Sequence, residues 1–76
     1  MKFTLRQLQV FLATAHHENI SKAAESLSMS QSAASGALKE LEALYDLKFF
    51  ERAGKRLKLN ELGRQVWPRA EALLAQ

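Results

Sequence analysis

The connection between two predicted helices limits the possible folds more than any other feature of this sequence. They are the second and third helices along the chain. The second helix spans about residues 21–27, with Ser21 as its N-cap, and the third spans about residues 31–45. Only residues 28–30 separate them, and Ser30 is placed to cap the third helix. The residues predicted to face inward are Ala23, Ala24 and Leu27 in the second helix and Ala34, Ala37, Leu38, Leu41, Leu44 and Tyr45 in the third. Two helices joined by so tight a turn are typical of a helix-turn-helix.

A further helix is predicted on each side of this pair. Thr4 and Gln7 have the spacing of a capping box at the start of the first one. Asn60 is placed to cap the last one, in which Pro68 should cause a kink. Their apolar stripes consist of Leu5, Leu8, Phe11, Leu12 and Ala15 in the first helix and Leu62, Val66, Ala70, Leu73 and Leu74 in the last. The chain is therefore predicted to be mainly helical.

A small β-hairpin is predicted between the third helix and the last one, because polar and apolar residues alternate there. Leu47 and Phe49 belong to its first strand, residues 53–55 form the turn, and residues 56–59 form the second strand. Two cationic side chains therefore lie near the tip of the hairpin.

The same segment holds all the excess positive charge of the chain. Residues 48–58 contain five cations and one acid, a net charge of +4, in a chain whose formal net charge is +3. The other residues contain six cations and seven acids. A polyanion is the natural partner of such a segment. Charge alone leaves the alternative of a solvated basic loop equally open.

Length and composition exclude several classes of protein. Seventy-six residues make one domain with one small core, and 47% hydrophobic with 25% charged residues are ordinary globular values. The absence of cysteine excludes disulfide bonds and cysteine-ligated zinc, and it fits a reducing compartment. No apolar run approaches the ~20 residues that cross a bilayer. We therefore expect a soluble cytoplasmic protein that does not act at a membrane.

The face of the third helix that points away from its apolar stripe is small and polar. It consists of Gln31, Ser32, Ser35, Gly36 and Lys39, of which only the lysine is charged. A face exposed only to water more often carries several charged residues. Small hydrogen-bonding residues suit a surface that lies flat against a partner, so this face is the candidate recognition surface.

Three helices, the last two joined by a tight turn, and a basic hairpin are the parts of a winged helix-turn-helix. The major groove of DNA is about 12 Å wide and admits one α-helix, whose first residues can then reach the base edges. A basic hairpin can reach a flanking phosphate or a minor groove. We expect a winged helix-turn-helix over residues 1–59 and the start of a closing helix over residues 60–76.

An ordered set of residues along nearly the whole chain supports this interpretation. The set is Leu5, Arg6, Gln7, Leu8, Phe11, Ser21, Ala23, Ala24, Leu27, Ser30, Gln31, Ala33, Ser35, Leu38, Leu41, Glu42, Leu47, Phe49, Phe50, Glu51, Arg52, Lys55, Arg56, Leu57, Leu59, Glu61, Gly63 and Pro68. In identity and order it resembles the DNA-binding domain of the LysR-type transcriptional regulators of bacteria. Two departures are mild. Ser32 replaces the usual proline, and serine suits the first turn of a helix. Asn60 replaces the usual threonine and is an equivalent helix cap. At Gly36 this family very often has a basic or long polar side chain.

The resemblance implies roles for particular residues. Base edges or nearby phosphates would be contacted by Gln31, Ser32, Ser35 and Gly36, with Lys39 further along the groove, while Ser21 and Lys22 would contact phosphate and Arg52, Lys55 and Arg56 would act in the wing. Either a common contact is lost at Gly36 or the helix backbone approaches DNA more closely. The closing helix would be the linker helix that pairs antiparallel with its copy through Leu62, Val66, Trp67, Ala70, Leu73 and Leu74.

The resemblance also implies a larger protein. The chain is expected to be a fragment of a regulator whose C-terminal domain, which follows the linker helix, binds a small-molecule effector. Such a regulator acts in the cytoplasm on the nucleoid, binding an inverted-repeat DNA operator as a homodimer or a higher oligomer. No metal or cofactor is expected in this segment.

Other interpretations of single features are weaker. His16 and His17 point about 100° apart on a helix and suit one metal ion poorly. The serines have neither a base spaced beside them nor a glycine-rich elbow, so an enzyme is not expected. The major groove of A-form RNA is too deep and narrow for a helix to read. A winged helix that binds proteins instead of DNA is the main alternative, and the basic hairpin and the polar helix face argue against it.

Overall fold

The computed structural model describes residues 2–75. It contains four helices and one two-stranded antiparallel sheet. In chain order these are α1 (Leu5–His17), α2 (Ile20–Ser26), α3 (Gln31–Tyr45), β1 (Phe50–Ala53), β2 (Arg56–Leu59) and α4 (Glu61–Leu74). The predicted mainly helical fold with a two-stranded wing is confirmed.

Polar side chains begin each of the four helices. At α1 the predicted capping box is complete, with the Thr4 N–H donating to Gln7 Oε1 at 2.9 Å and the Gln7 N–H donating to Thr4 Oγ1 at 3.0 Å. At α3 the hydroxyl of Ser30 accepts from the N–H of Ala33 at 3.0 Å. At α4 the side chain of Asn60 accepts from the N–H of Gly63 at 2.8 Å. Three of the four predicted caps are therefore confirmed.

The cap predicted for α2 is wrong. Asn19, not Ser21, is the N-cap, and its Oδ1 accepts from the N–H of Lys22 at 2.9 Å. Asn and Ser cap helices about equally well. Asn19 comes earlier in the chain and has the extended backbone of an N-cap residue (φ −158°), so the helix begins after it. Ser21 therefore lies inside the first turn of α2, where its hydroxyl is free to bond elsewhere. The helix ends at Ser26.

The turn between α2 and α3 is closed by hydrogen bonds to α2. The N–H of Met29 donates to the carbonyl of Ala24 at 2.8 Å, and the N–H of Ser28 donates to the carbonyl of Glu25 at 3.1 Å. Ser28 has a positive φ of 56°, which reverses the chain within this turn. The tight connection predicted for residues 28–30 thus joins the two helices as a helix-turn-helix.

Helix α1 lies at the centre of the fold and contacts α2, α3, α4 and β2. Its Phe11 packs edge-on against Phe49, with ring centroids 5.5 Å apart, and tilted against Phe50 at 5.6 Å. One buried cluster consists of Leu8, Phe11, Leu41, Phe49 and Ala70, and a second consists of Val10, Ala24, Ala34, Ala37 and Leu38. Because α1 is covered on several sides, it also buries Gln7, Val10 and Thr14, none of which belongs to the predicted stripe.

Four residues of the predicted apolar stripes are exposed. Their exposed fractions are 62% for Leu5, 40% for Leu44, 41% for Tyr45 and 43% for Leu73. These residues lie in the first or last turn of their helices, where fewer neighbouring elements cover the chain. Tyr45 and Leu73 also border an open apolar groove of about 330 Å³ between α1, α3 and α4.

The hairpin begins later than predicted. The paired residues run from Phe50 opposite Leu59 to Ala53 opposite Arg56, so Leu47 and Phe49 are outside the strand. The N–H of Phe49 instead donates to Glu42 Oε2 of α3 at 2.8 Å, so this N–H is not available for pairing in the sheet. The turn is also shorter than predicted, because only two residues lie between the strands and Gly54 takes a positive φ of 64°.

Helix α4 closes the fold. Its Ala70 is only 2% exposed and belongs to the same cluster as Phe11. A Cβ at Gly63 would overlap the carbonyl of Phe49 and lie 2.8 Å from Leu59 Cδ2, so only glycine permits this close approach of α4 to the base of the hairpin. The helix continues past Pro68. Within the described residues no helix is both long and apolar enough to cross a bilayer.

Candidate nucleic-acid interface

The outward face of α3 is polar and carries small side chains around Gly36. At about 100° per residue, Ser32, Gly36 and Lys39 lie opposite the buried residues Ala34 and Leu41. Ser32 and Lys39 are exposed, whereas Ser35 is half-buried on the flank of the helix. A Cβ at Gly36 would meet nothing within 4 Å, so no neighbour inside the chain requires glycine there.

The first turn of α3 is linked to α2 by two of the predicted DNA-contacting residues. The hydroxyl of Ser21 donates to the side-chain oxygen Oε1 of Gln31 at 2.6 Å. Both side chains are exposed, and the N-cap Ser30 stabilises the first turn of α3 through its bond to the Ala33 N–H. Lys22 is also exposed on α2. The structure therefore brings these two predicted residues, which lie ten positions apart, into direct contact.

The hairpin presents its cations on different sides. Residues directly opposite in an antiparallel pair share a face, and neighbours along a strand alternate. Arg52 therefore shares a face with its partner Leu57, and Arg56 lies on the other face. Lys55 stands in the two-residue turn. All three cations are exposed, so the predicted basic tip exists but spreads over both faces and the turn.

Glu18, which the sequence-based prediction did not assign to the site, holds the wing against α1. Its backbone carbonyl accepts from the N–H of Leu57 at 2.9 Å, and its carboxylate lies 3.4 Å from Arg56 Nη1. Glu18 has a positive φ of 55° as the C-cap of α1, which turns the chain at this point. No local pattern signals a contact across 38 positions of the chain.

A second set of contacts holds the base of the wing against α3 and α4. The buried carboxylate of Glu42 accepts from the Phe49 N–H and lies 3.9 Å from the Lys48 ammonium. The amide Nδ2 of Asn60 donates to the carbonyl of Lys48 at 2.8 Å. The prediction identified Glu42 and Asn60 as parts of the motif or the cap, and missed that both position the hairpin.

The predicted dimerisation residues of α4 divide into two groups. Ala70 is buried in the core of its own chain, and Leu62, Val66, Trp67 and Leu74 are half-buried against the same cluster. Leu73 is exposed. The stripe therefore does two things, packing on α1 along one side and leaving an apolar edge open at its end.

The two adjacent histidines form no larger cluster. Their rings meet edge to face with centroids 4.8 Å apart. Across residues 2–75, no three His, Cys, Asp or Glu side chains are grouped as a metal site would require.

Three features together define a winged helix-turn-helix domain: two tightly joined helices, α2 and α3, a polar outward face on α3, and a basic hairpin anchored to the helices. The sequence matches the model for bacterial regulatory helix-turn-helix proteins of the lysR family over residues 5–64. The chain therefore belongs to the LysR family of transcriptional regulators, and its fold is that of the family's DNA-binding domain.

Curated relatives are similar over the whole chain. The uncharacterised transcriptional regulator YeiE of Escherichia coli K12 is 47% identical over 76 residues, which is 100% of this chain and 26% of YeiE. The RuBisCO operon transcriptional regulator of Allochromatium vinosum is 44% identical over 96% of this chain and 24% of its own length. The chain thus spans about a quarter of these relatives.

Solved structures have the same fold. A mutant of OxyR from Corynebacterium glutamicum matches with a TM-score of 0.95 at 31% identity, covering 99% of this chain and 24% of that protein. The DNA-binding domain of CbnR, solved as a complex with DNA, matches with a TM-score of 0.89 at 29% identity. That match covers 96% of this chain and 84% of the CbnR domain.

Proposed function

We propose that this domain binds duplex DNA in a sequence-specific manner, with α3 in the major groove and the wing on the flanking backbone or minor groove. The observation that carries the proposal is the polar outer face of α3 together with the basic segment of residues 48–58, which has a net charge of +4. The fold of the CbnR domain, which was solved with DNA, supports it.

The proposed contacts to DNA are of two kinds: contacts to base edges and electrostatic contacts to phosphates. Base edges and nearby phosphates are contacted by Gln31, Ser32, Ser35, Gly36 and Lys39 of α3. Phosphates are contacted by Lys22 of α2 and by Arg52, Lys55 and Arg56 of the wing. The family resemblance assigns Ser21 to a phosphate as well, although its hydroxyl proton is already donated to Gln31. Contacts to base edges carry sequence information, whereas phosphate contacts supply affinity that falls as salt rises.

The second part of the proposal is a homodimer that uses α4 as a linker helix. Exposed Leu73 and the groove beside it form an apolar surface on this helix that a second copy of the chain can cover. Two domains related by a twofold axis would bind an inverted repeat with half-sites ~34–36 Å apart. The full-length protein would act on the nucleoid in the cytoplasm as a transcription regulator without enzymatic activity, and an effector would bind outside this segment.

Selection from a pool of random DNA duplexes at two salt concentrations tests the proposal. We expect an enriched inverted repeat, bound with an affinity that falls steeply as salt rises. Salt-sensitive binding without an enriched sequence would contradict base reading by α3. A lack of binding even at low salt would contradict DNA binding altogether and favour a protein-interaction module.

A further inference from the structure

Gln31 lies at the N-terminal end of α3, the proposed recognition helix. It is the first residue of α3 and exposed, so it points from the N-terminal turn that a helix in the major groove brings nearest the bases. A glutamine amide offers one acceptor oxygen and two N–H donors. With both ends free it pairs with adenine, accepting from N6 and donating to N7.

In this chain one of the two lone pairs of the Gln31 amide oxygen already accepts a hydrogen bond, and the oxygen faces α2. The hydroxyl of Ser21 donates to Oε1 at 2.6 Å, within the usual range for an O–H···O hydrogen bond. This bond turns the oxygen toward α2 and leaves the two N–H groups of Nε2 pointing away from it. The Ser21 hydroxyl has a single proton, so it cannot donate to a phosphate at the same time.

We infer that Ser21 is a positioning residue that presents Gln31 to DNA as a hydrogen-bond donor, and that the base opposite Gln31 is guanine. Guanine is the base whose major-groove edge carries two adjacent acceptors, N7 and O6. Adenine is disfavoured because its N6 amino group needs an acceptor, and the Gln31 oxygen is directed toward α2 with one lone pair already bound to Ser21. The inference rests on the proposed function, and it replaces the direct phosphate contact predicted for Ser21.

The capping arrangement of α2 allows this geometry. Asn19 caps the helix, so Ser21 is not needed to satisfy a backbone N–H. Ser26 offers a matched contrast on the same helix, because its hydroxyl is also exposed but donates to the carbonyl of Ala23 at 2.8 Å. Removal of the Ser26 hydroxyl should leave base preference unchanged, whereas removal of the Ser21 hydroxyl should change it.

Selection from random duplexes with five proteins tests the inference: the wild type, Ser21→Ala, Ser21→Thr, Ser26→Ala and Gln31→Ala. We expect the wild type to select guanine at one position per half-site where Gln31→Ala selects no base. Ser21→Ala should lose the same preference, and Ser21→Thr, which keeps the hydroxyl, should retain it. Ser26→Ala should select the wild-type sequence.

Affinity for the selected duplex gives the second readout. Ser21→Ala should weaken wild-type binding about 5- to 100-fold, with no further loss in the Gln31→Ala background and no change on a scrambled duplex. Replacing the selected guanine by 7-deazaguanine, which lacks the N7 acceptor, should weaken the wild type but not Gln31→Ala.

Three outcomes would overturn the inference while leaving DNA binding intact. They are adenine at the Gln31-dependent position, equal weakening of selected and scrambled duplexes by Ser21→Ala, and an undiminished effect of that change in the Gln31→Ala background. The last two would assign Ser21 to phosphate contact. Failure of the wild type to select any sequence would instead contradict the proposed function itself.

Discussion

Thr14 places a hydroxyl in the middle of the core. The residue is fully buried, and its Oγ1 has no hydrogen-bond partner among the described residues. A buried polar group without a partner costs about 1–3 kcal/mol. The position lies on the side of α1 that the apolar stripe did not predict, because the stripe assumed one covered face and α1 is covered on several.

Thr14→Val should stabilise the domain, because valine keeps the shape of threonine and removes the unpaired hydroxyl. We expect the free energy of unfolding to rise by about 1 kcal/mol in urea titrations. Thr14→Ser, which keeps the hydroxyl and loses the methyl group, is the matched control and should destabilise. A less stable Thr14→Val protein would show that the hydroxyl does have a partner.

Two helical glycines should respond to the same substitution in opposite directions. Gly36→Ala adds a methyl group in open space and removes the helix penalty of glycine, so stability should rise by up to about 1 kcal/mol. Gly63→Ala drives a methyl group into the Phe49 carbonyl and should cost about 1–3 kcal/mol or more. Thermal unfolding measures both. Equal effects would contradict the close approach of α4 to the hairpin.

Residue-level features were predictable where the signal is local. The capping box of α1 and the caps at Ser30 and Asn60 depend on side chains three positions from their partners, and all three are confirmed. The cap of α2 was missed because Asn19 and Ser21 are equally good candidates by residue type. The bond between Ser21 and Gln31 depends on how two helices cross, which no local pattern encodes.

Among the elements, the wing is held at its middle and at its base by residues from the helices. Glu18 binds the middle of the hairpin to the end of α1, and Glu42 binds its base to α3. The sequence predicted that a hairpin exists but placed its start too early, because alternation continues into Leu47 and Phe49. The competing bond from Phe49 to Glu42 decides where the strand begins.

Glu18→Gln should strengthen DNA binding. The change removes a negative charge beside Arg56 and releases that guanidinium for phosphate, and the backbone bond to Leu57 is unaffected. The Arg56 side chain is 69% exposed and that of Glu18 is 31% exposed, so solvent screens the pair and we expect stability to change by less than about 1 kcal/mol. Affinity for selected and scrambled duplexes should rise together in fluorescence titrations. Glu71→Gln, an exposed acid on α4, is the charge-matched control. An equal gain from the control would show that net charge alone is responsible.

Arg52→Ala should weaken binding to every sequence alike, because a phosphate contact carries no sequence information. The slope of log affinity against log salt should become shallower by about one. The test is a set of titrations on selected and scrambled duplexes at four salt concentrations. Loss confined to the selected duplex would mean that Arg52 reads a base.

At the scale of the whole molecule, the order of the elements and the family were predictable, since helical periodicity, caps and the ordered motif residues are all visible along the chain. The distribution of charge was predictable for the same reason. The apolar groove between α1, α3 and α4 was not, because it arises from how the ends of three helices fail to cover one another. The residues assigned to DNA and to the dimer remain predictions.

The proposed function depends above all on α3 reading duplex DNA through the major groove. The measurement that tests it most directly is the affinity of the domain for its selected DNA duplex, a scrambled DNA duplex and an RNA duplex of the selected sequence, in one buffer. We expect the selected DNA to bind at least about 1,000-fold more tightly than the scrambled DNA, and the RNA to bind no better than the scrambled DNA. Equal affinity for both DNA duplexes, or a preference for RNA, would contradict base reading by α3 in the major groove.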